Sequence, residues 1–184
     1  MTITLARNTL RAMSPVDASA TTLWLLEDRE PFGDAPAVGE VFTPTTRWVD
    51  AHQESIPPEL CSDMPARIKA HDIGGRMEWV AHLTGGFTTL LSGDRHSEGD
   101  HVLNGCLLWD RYLWIDVATT PVGALRLVER AGLVFQRTQL VASRHPGVYT
   151  PHHDGPMLYT SASTVTRDYW IHYSALRVQV EPHH

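Results

Sequence analysis

The sequence predicts an all-β fold, an antiparallel barrel in preference to a two-sheet sandwich, and three observations carry that expectation. Thr, Val and Ile number 18, 15 and 6 of 184 residues, and β-branched side chains suit the pleated surface of a strand better than a helix. The stretches between Gly, Pro, Asp and Asn breaks are short, nearly all of strand length and too short for most helices. So many short strands leave exposed edges unless the sheet closes, and closure into a barrel removes them. An apolar fraction of 42% with 20% charged residues fits one domain with an ordinary core.

In chain order the expected strands are Thr21–Glu27, Glu40–Val49, Arg67–Ile73, Arg76–Thr84, Phe87–Ser92, His101–Trp109, Tyr112–Ala118, Gly123–Arg130, Leu133–Ser143, Met157–Val165 and Tyr169–Val180. Leu5–Met13 reads as a short helix or a further strand, and Asp17–Ser19 and Glu30–Gly39 as loops. Prolines at 57, 58 and 65 restrict any helix in Ile56–Arg67 to a turn or two around Glu59–Asp63. Gly74-Gly75 and Gly85-Gly86 bracket the Arg76–Thr84 strand as hairpin turns. Within that strand Met77, Trp79, Ala81 and Leu83 share the core face, which sends Glu78, Val80 and His82 to the other, with His82 toward solvent. In Tyr169–Val180 the even set Trp170, His172, Ser174, Leu176, Val178 and Val180 lies together, so His172 points inward beside a tryptophan. His101–Trp109 is apolar on both faces and contains Gly105, which signals a bulge or coverage from both sides.

Charge and composition exclude several classes of function. The net charge is −6, and the 14 arginines, against the single lysine Lys69, are scattered along the chain. No basic patch exists to hold a phosphate backbone, so nucleic acid is not an expected partner. GC-rich coding, as in many bacterial genomes, is the simpler cause of the arginine bias. No apolar run approaches the roughly 20 residues of a membrane-spanning helix. Neither a membrane partner nor an export signal is expected, which points to a cytoplasmic protein with Cys61 and Cys106 as reduced thiols. His183 and His184 end the chain in the manner of a tag remnant and carry no functional weight.

The densest group of titratable and aromatic residues is Arg144–Pro156, read as a loop stiffened by three prolines. It contains Tyr149 and the run His152-His153-Asp154. Histidine titrates near neutrality and a neighbouring carboxylate orients it, so His153 or His152, with Asp154 and the inward His172, are the candidate acid/base residues. The competing reading is an ordinary surface turn built on Asp154-Gly155. His152-x-Asp154 also has the spacing of two ligands of a facial metal triad, with His172 as a third, but no metal is called for. The loop Ser92–His101 reads as an exposed hairpin tip whose Asp94, Glu98 and Asp100 match no cation-binding loop. No GxSxG and no phosphate-binding glycine loop is present, and Cys61 has no local histidine to activate it.

The expected function is therefore a small-molecule-binding barrel whose interior takes an apolar or aromatic organic ligand. Cofactor-independent proton transfer there, such as isomerisation, cyclisation or dehydration, is expected to use His172, His153, His152 and Asp154. Tyr149, Tyr159, Trp170, Ser161 and Ser174 are the candidate ligand-contacting residues, and no cofactor is required. A non-catalytic carrier or protein-interaction module is the competing expectation, and a His/Asp metal-dependent enzyme a third. Homo-oligomerisation is left open.

Overall fold

The computed structural model describes residues 22–28, 36–52, 55–93, 96–145 and 147–182. The readings of Leu5–Met13, Asp17–Ser19 and much of Glu30–Gly39 lie outside these residues, as do Asp94, His183 and His184. Ten strands form one sheet: β1 (Thr22–Asp28), β2 (Val41–Phe42), β3 (Thr46–Asp50), β4 (Ser62–Ile73), β5 (Arg76–His82), β6 (Thr88–Leu91), β7 (Gly99–Trp109), β8 (Ala124–Ala142), β9 (Tyr149–Thr160) and β10 (Tyr169–Glu181). Five of them close on themselves in the order β7, β3, β6, β5, β4 and back to β7. This is the predicted all-β barrel, with one departure from the antiparallel expectation: β3 and β6 pair in parallel. From β7 the sheet continues through β1, β10 and β8 to β2, with β9 added on β8.

Burial explains the closure. Trp48, Met64, Ala66, Ile68, Ala81, Leu91 and Leu107 from the barrel strands join Leu23, Leu25, Leu125, Leu127, Leu176, Val178 and Phe87 in one cluster. A second cluster on the other side of β1, β7, β8 and β10 contains Leu26, Val49, Leu60, Cys106, Leu108, Val134 and Ala175. Strands covered on both faces account for the two-sided apolar pattern of β7. The β4–β5 connection is a two-residue hairpin, in which Ile73 pairs with Arg76 and Gly74 and Gly75 both take positive φ. A right-twisted hairpin needs that conformation, and glycine supplies it without strain. No helix among the described residues is long and apolar enough to cross a membrane.

Three local expectations are corrected. Tyr112–Ala118 is not a strand but contains a one-turn helix, α1 (Leu113–Asp116), started by Asp110, whose Oδ1 accepts the Tyr112 N–H at 3.0 Å. Four residues are too few for a helical period to show in the sequence. Leu113 and Val117 then cover Val80 and Leu90, so the face of β5 assigned to solvent is partly buried, with Glu78 at 5% exposure. His82 is half-buried on that face, and its Nε2 is buried without a hydrogen-bond partner among the described residues.

The second correction joins Gly123–Arg130 and Leu133–Ser143 into the single strand β8. Gly132 is not a break but a point of close approach: a Cβ there would lie 2.0 Å from the Thr160 carbonyl oxygen. The third turns the expected loop around His152 into β9. Pro151 and Pro156 are tolerated because, among the described residues, β9 pairs only with β8, and an edge strand can do without ladder N–H groups on its open side. Residues 155–157 bulge opposite Gln136, whose side-chain amide donates to the Gly155 carbonyl oxygen at 2.6 Å.

Candidate active site

The ladder between β8 and β10 shifts between Ile171 and Tyr173, so His172 is an extra residue facing no single partner. A bulge of this kind re-aims side chains that strict alternation would send to opposite faces. Here it brings the rings of neighbouring His172 and Tyr173 to 6.1 Å between centroids. From β9, His153 sits opposite Thr138 of β8, and its ring lies 5.0 Å from that of His172. Trp170 closes the group, 6.2 Å from His153.

His153 is held by a 2.9 Å hydrogen bond between its Nδ1 and the Thr138 hydroxyl. His172 Nε2 is buried and has no hydrogen-bond partner among the described residues. Burial lowers the His172 pKa below the usual imidazole range, the His153 ring lowers it further by like charge, and Asp28 of β1 pulls it upward. The net effect favours the neutral ring, the form that can accept a proton.

Beside this group lies a cavity of about 170 Å³ lined by Asp28, Arg47, Leu108, Trp109, Asp110, Arg111, Tyr112 and Tyr173. Arg47 pairs with Asp110 at 3.6 Å, and Arg111 pairs with Glu27 at 3.0 Å while lying over the Trp109 ring. The walls thus combine aromatic faces with oriented charges of both signs, the make-up of a site for a small organic molecule with one polar end. His172 does not line the cavity. It adjoins it through Tyr173 and through the charge of Asp28.

The structure brings together some of the residues expected from sequence and separates others. His172, His153 and Trp170 form one cluster. His152 and Asp154, two apart on β9, lie opposite Gln139 and Arg137, on the other face of the strand from His153. The His152-x-Asp154 pair therefore does not converge with His172. Among the described residues no group of three or more His, Cys, Asp or Glu is placed to hold a metal ion. Tyr149 is 62% exposed at the far end of the β8–β9 hairpin, and Ser161 is exposed in the turn after β9. Tyr159 is a packing residue: it meets Trp24 edge-on at 5.8 Å, and its hydroxyl donates to the Ala131 carbonyl oxygen at 3.0 Å. Ser174 is half-buried on β10 opposite Leu133 and Glu27. Burial, followed by the charges of Asp50 and Glu59, pushes the Cys61 thiol up, the opposite of an activated nucleophile.

No family model, curated protein or solved structure matches this chain. The functional reading rests on the geometry. Sequence reasoning missed Asp28, Arg47, Trp109, Asp110, Arg111 and Tyr112, because they come from the ends of three strands and from a segment read as a strand of its own. The signal was the run Trp109-Asp110-Arg111-Tyr112, where two charges between aromatics follow an apolar stretch.

Proposed function

We propose that this barrel binds a small organic molecule with an aromatic or apolar body in the cavity beside the β10 bulge, and that His172 and His153 exchange protons with it. The observation that supports the reading best is the bulge itself. It sets a desolvated His172 with an unpartnered Nε2 against His153, a ring that Thr138 holds in place. A buried polar atom without a partner is costly, and a ligand group or an ordered water reaching Nε2 would remove that cost. The chemistry is proton transfer at a carbon next to a carbonyl: neutral His172 removes the proton, and His153 or solvent returns one at another position. Keto–enol isomerisation, aldol-type cyclisation and loss of water from a β-hydroxy carbonyl compound all begin this way.

Carriage without turnover is the second reading, favoured by one fact: His172 stands beside the cavity and not in its lining. A panel of aromatic ketones incubated with the protein in D₂O separates the two. Catalysis predicts protein-dependent loss of the α-proton signal, reduced at least about 100-fold in His172→Ala while binding is kept. A smaller loss is expected in His153→Ala. Binding with no exchange in the wild-type protein establishes the carrier. Absence of saturable binding by any member of the panel would contradict both.

A further inference from the structure

Beyond the start of β10, where Tyr169 lies opposite Arg137, β8 and β9 continue as a two-stranded ribbon that runs from the Arg137/Asp154 pair to the Ala142/Tyr149 pair. Its register sorts the side chains by face. Thr138, Leu140 and Ala142 stand opposite His153, Pro151 and Tyr149 on one face. The other face has Arg137, Gln139, Asp154, His152 and Thr150 around a single valine, Val141. A ribbon of two strands is marginal in water unless an apolar face is covered. Here that face is bare: Leu140 is 71% exposed and Tyr149 62%, with Ala142 and Pro151 exposed beside them. Trp170, opposite Gln136 and next to His153, carries the same face onto β10.

Shape, charge and area say what covers it. The outside of a ribbon does not enclose a small molecule, which needs a concave site. Pro151 and Pro156 leave gaps in the N–H row of β9, which opposes addition of another strand at its open edge and leaves the face as the surface to bury. Between Thr138 and Tyr149 the face has no charged side chain, so two copies of a chain with net charge −6 can meet there without like charges in the contact. The exposed parts of Leu140, Tyr149, Trp170 and the smaller side chains between them come to roughly 600 Å². Two copies stacked on this face would bury on the order of 1,000 Å², the size at which specific interfaces begin.

We propose that the apolar face of the β8–β9 ribbon is a homodimer interface, covered by the same face of a second copy across a two-fold axis. Such an axis sets one patch against itself, which suits an uncharged face. The two ribbons then pack about 10 Å apart, as stacked sheets do, with Leu140 near the centre of the contact. The contact also covers the outer side of His153 and Trp170. It does not rest on proton transfer at His172 and stands if that reading fails.

Sedimentation velocity of the full chain, from about 1 μM to about 1 mM, tests this. A reversible monomer–dimer equilibrium with a Kd of about 10 μM is the expected result, weak in keeping with a small interface. Leu140→Glu sets like charges against each other across the axis and should weaken the dimer at least about 100-fold. Gln139→Glu, one position along on the opposite face, should leave it unchanged. Both side chains are exposed, so both variants keep the fold, which far-UV circular dichroism checks. A wild-type chain that stays monomeric throughout would overturn the proposal, and if that monomer co-sediments with phosphatidylcholine vesicles the face is a membrane contact instead. Equal weakening by the two variants would overturn the assignment to this face. If Leu140→Glu does not fold, the wild-type concentration series alone decides.

Discussion

Gly105→Ala is expected to cost the protein about 3 kcal/mol or more, among the largest effects available to a single methyl group. Gly105 is where β3 and β4 both meet β7, opposite Asp50 on one side and Ser62 on the other. A Cβ at this position would stand 2.0 Å from the Val49 carbonyl oxygen and 2.9 Å from Trp48 Nε1. The first contact is with backbone, so no rotamer change relieves it. The β3–β7 ladder has to part beside the β4–β7 seam that closes the barrel. Denaturant unfolding checks this, and a loss below about 1 kcal/mol would mean that the strands do not approach as described.

Glu78→Gln is the second large effect, and it carries a pH signature. The Glu78 carboxylate is buried on β5 and accepts the Ala118 N–H at 2.8 Å, the Thr119 N–H at 2.7 Å and the Arg76 guanidinium. These bonds fasten the segment after α1 to the barrel. Burial alone would raise its pKa, but the donors from Thr119, Ala118 and Arg76 outweigh burial and bring it to about 2 from an ordinary 4.5. A depressed carboxylate stabilises the fold fully above its unfolded pKa, and that contribution fades as pH falls toward the folded value. Glutamine keeps the shape but turns a donor toward a backbone N–H, so a loss on the order of 2–3 kcal/mol is expected near neutral pH. The gap between wild type and variant should narrow as pH falls from 4.5 to about 2. A gap that stays constant across that range would show that the carboxylate is not held as described.

Much of the barrel was legible because its causes are local. Turn glycines such as Gly74 and Gly75, and the alternation that sends Ala81 and Leu83 to the core, act over a few residues and read directly from the chain. What escaped depends on neighbours distant in sequence. Gly132 reads as a break, yet it is the close approach to Thr160 that requires glycine there. Pro151 and Pro156 read as loop residues because nothing local says that their strand has only one neighbour.

The candidate site was half legible for the same reason. His172 was expected to face inward beside Trp170; it clusters with Trp170 and His153 on a partly open face, where it is half-buried and Trp170 is 52% exposed. Simple alternation, however, places Tyr173 on the opposite face, and only the bulge against Val134 brings the two rings together. Asp28 could not be assigned to the site at all, since its place beside Tyr173 comes from the pairing of β1 with β10 across most of the chain.

The most direct test of the central claim, that the β10 bulge holds a half-buried, neutral imidazole against His153 and within the field of Asp28, is an NMR pH titration of the His172 ring. The structure predicts a midpoint below that of an ordinary histidine, moved up in His153→Ala and further down in Asp28→Asn. A midpoint at or above the ordinary value, unmoved by either substitution, would contradict it.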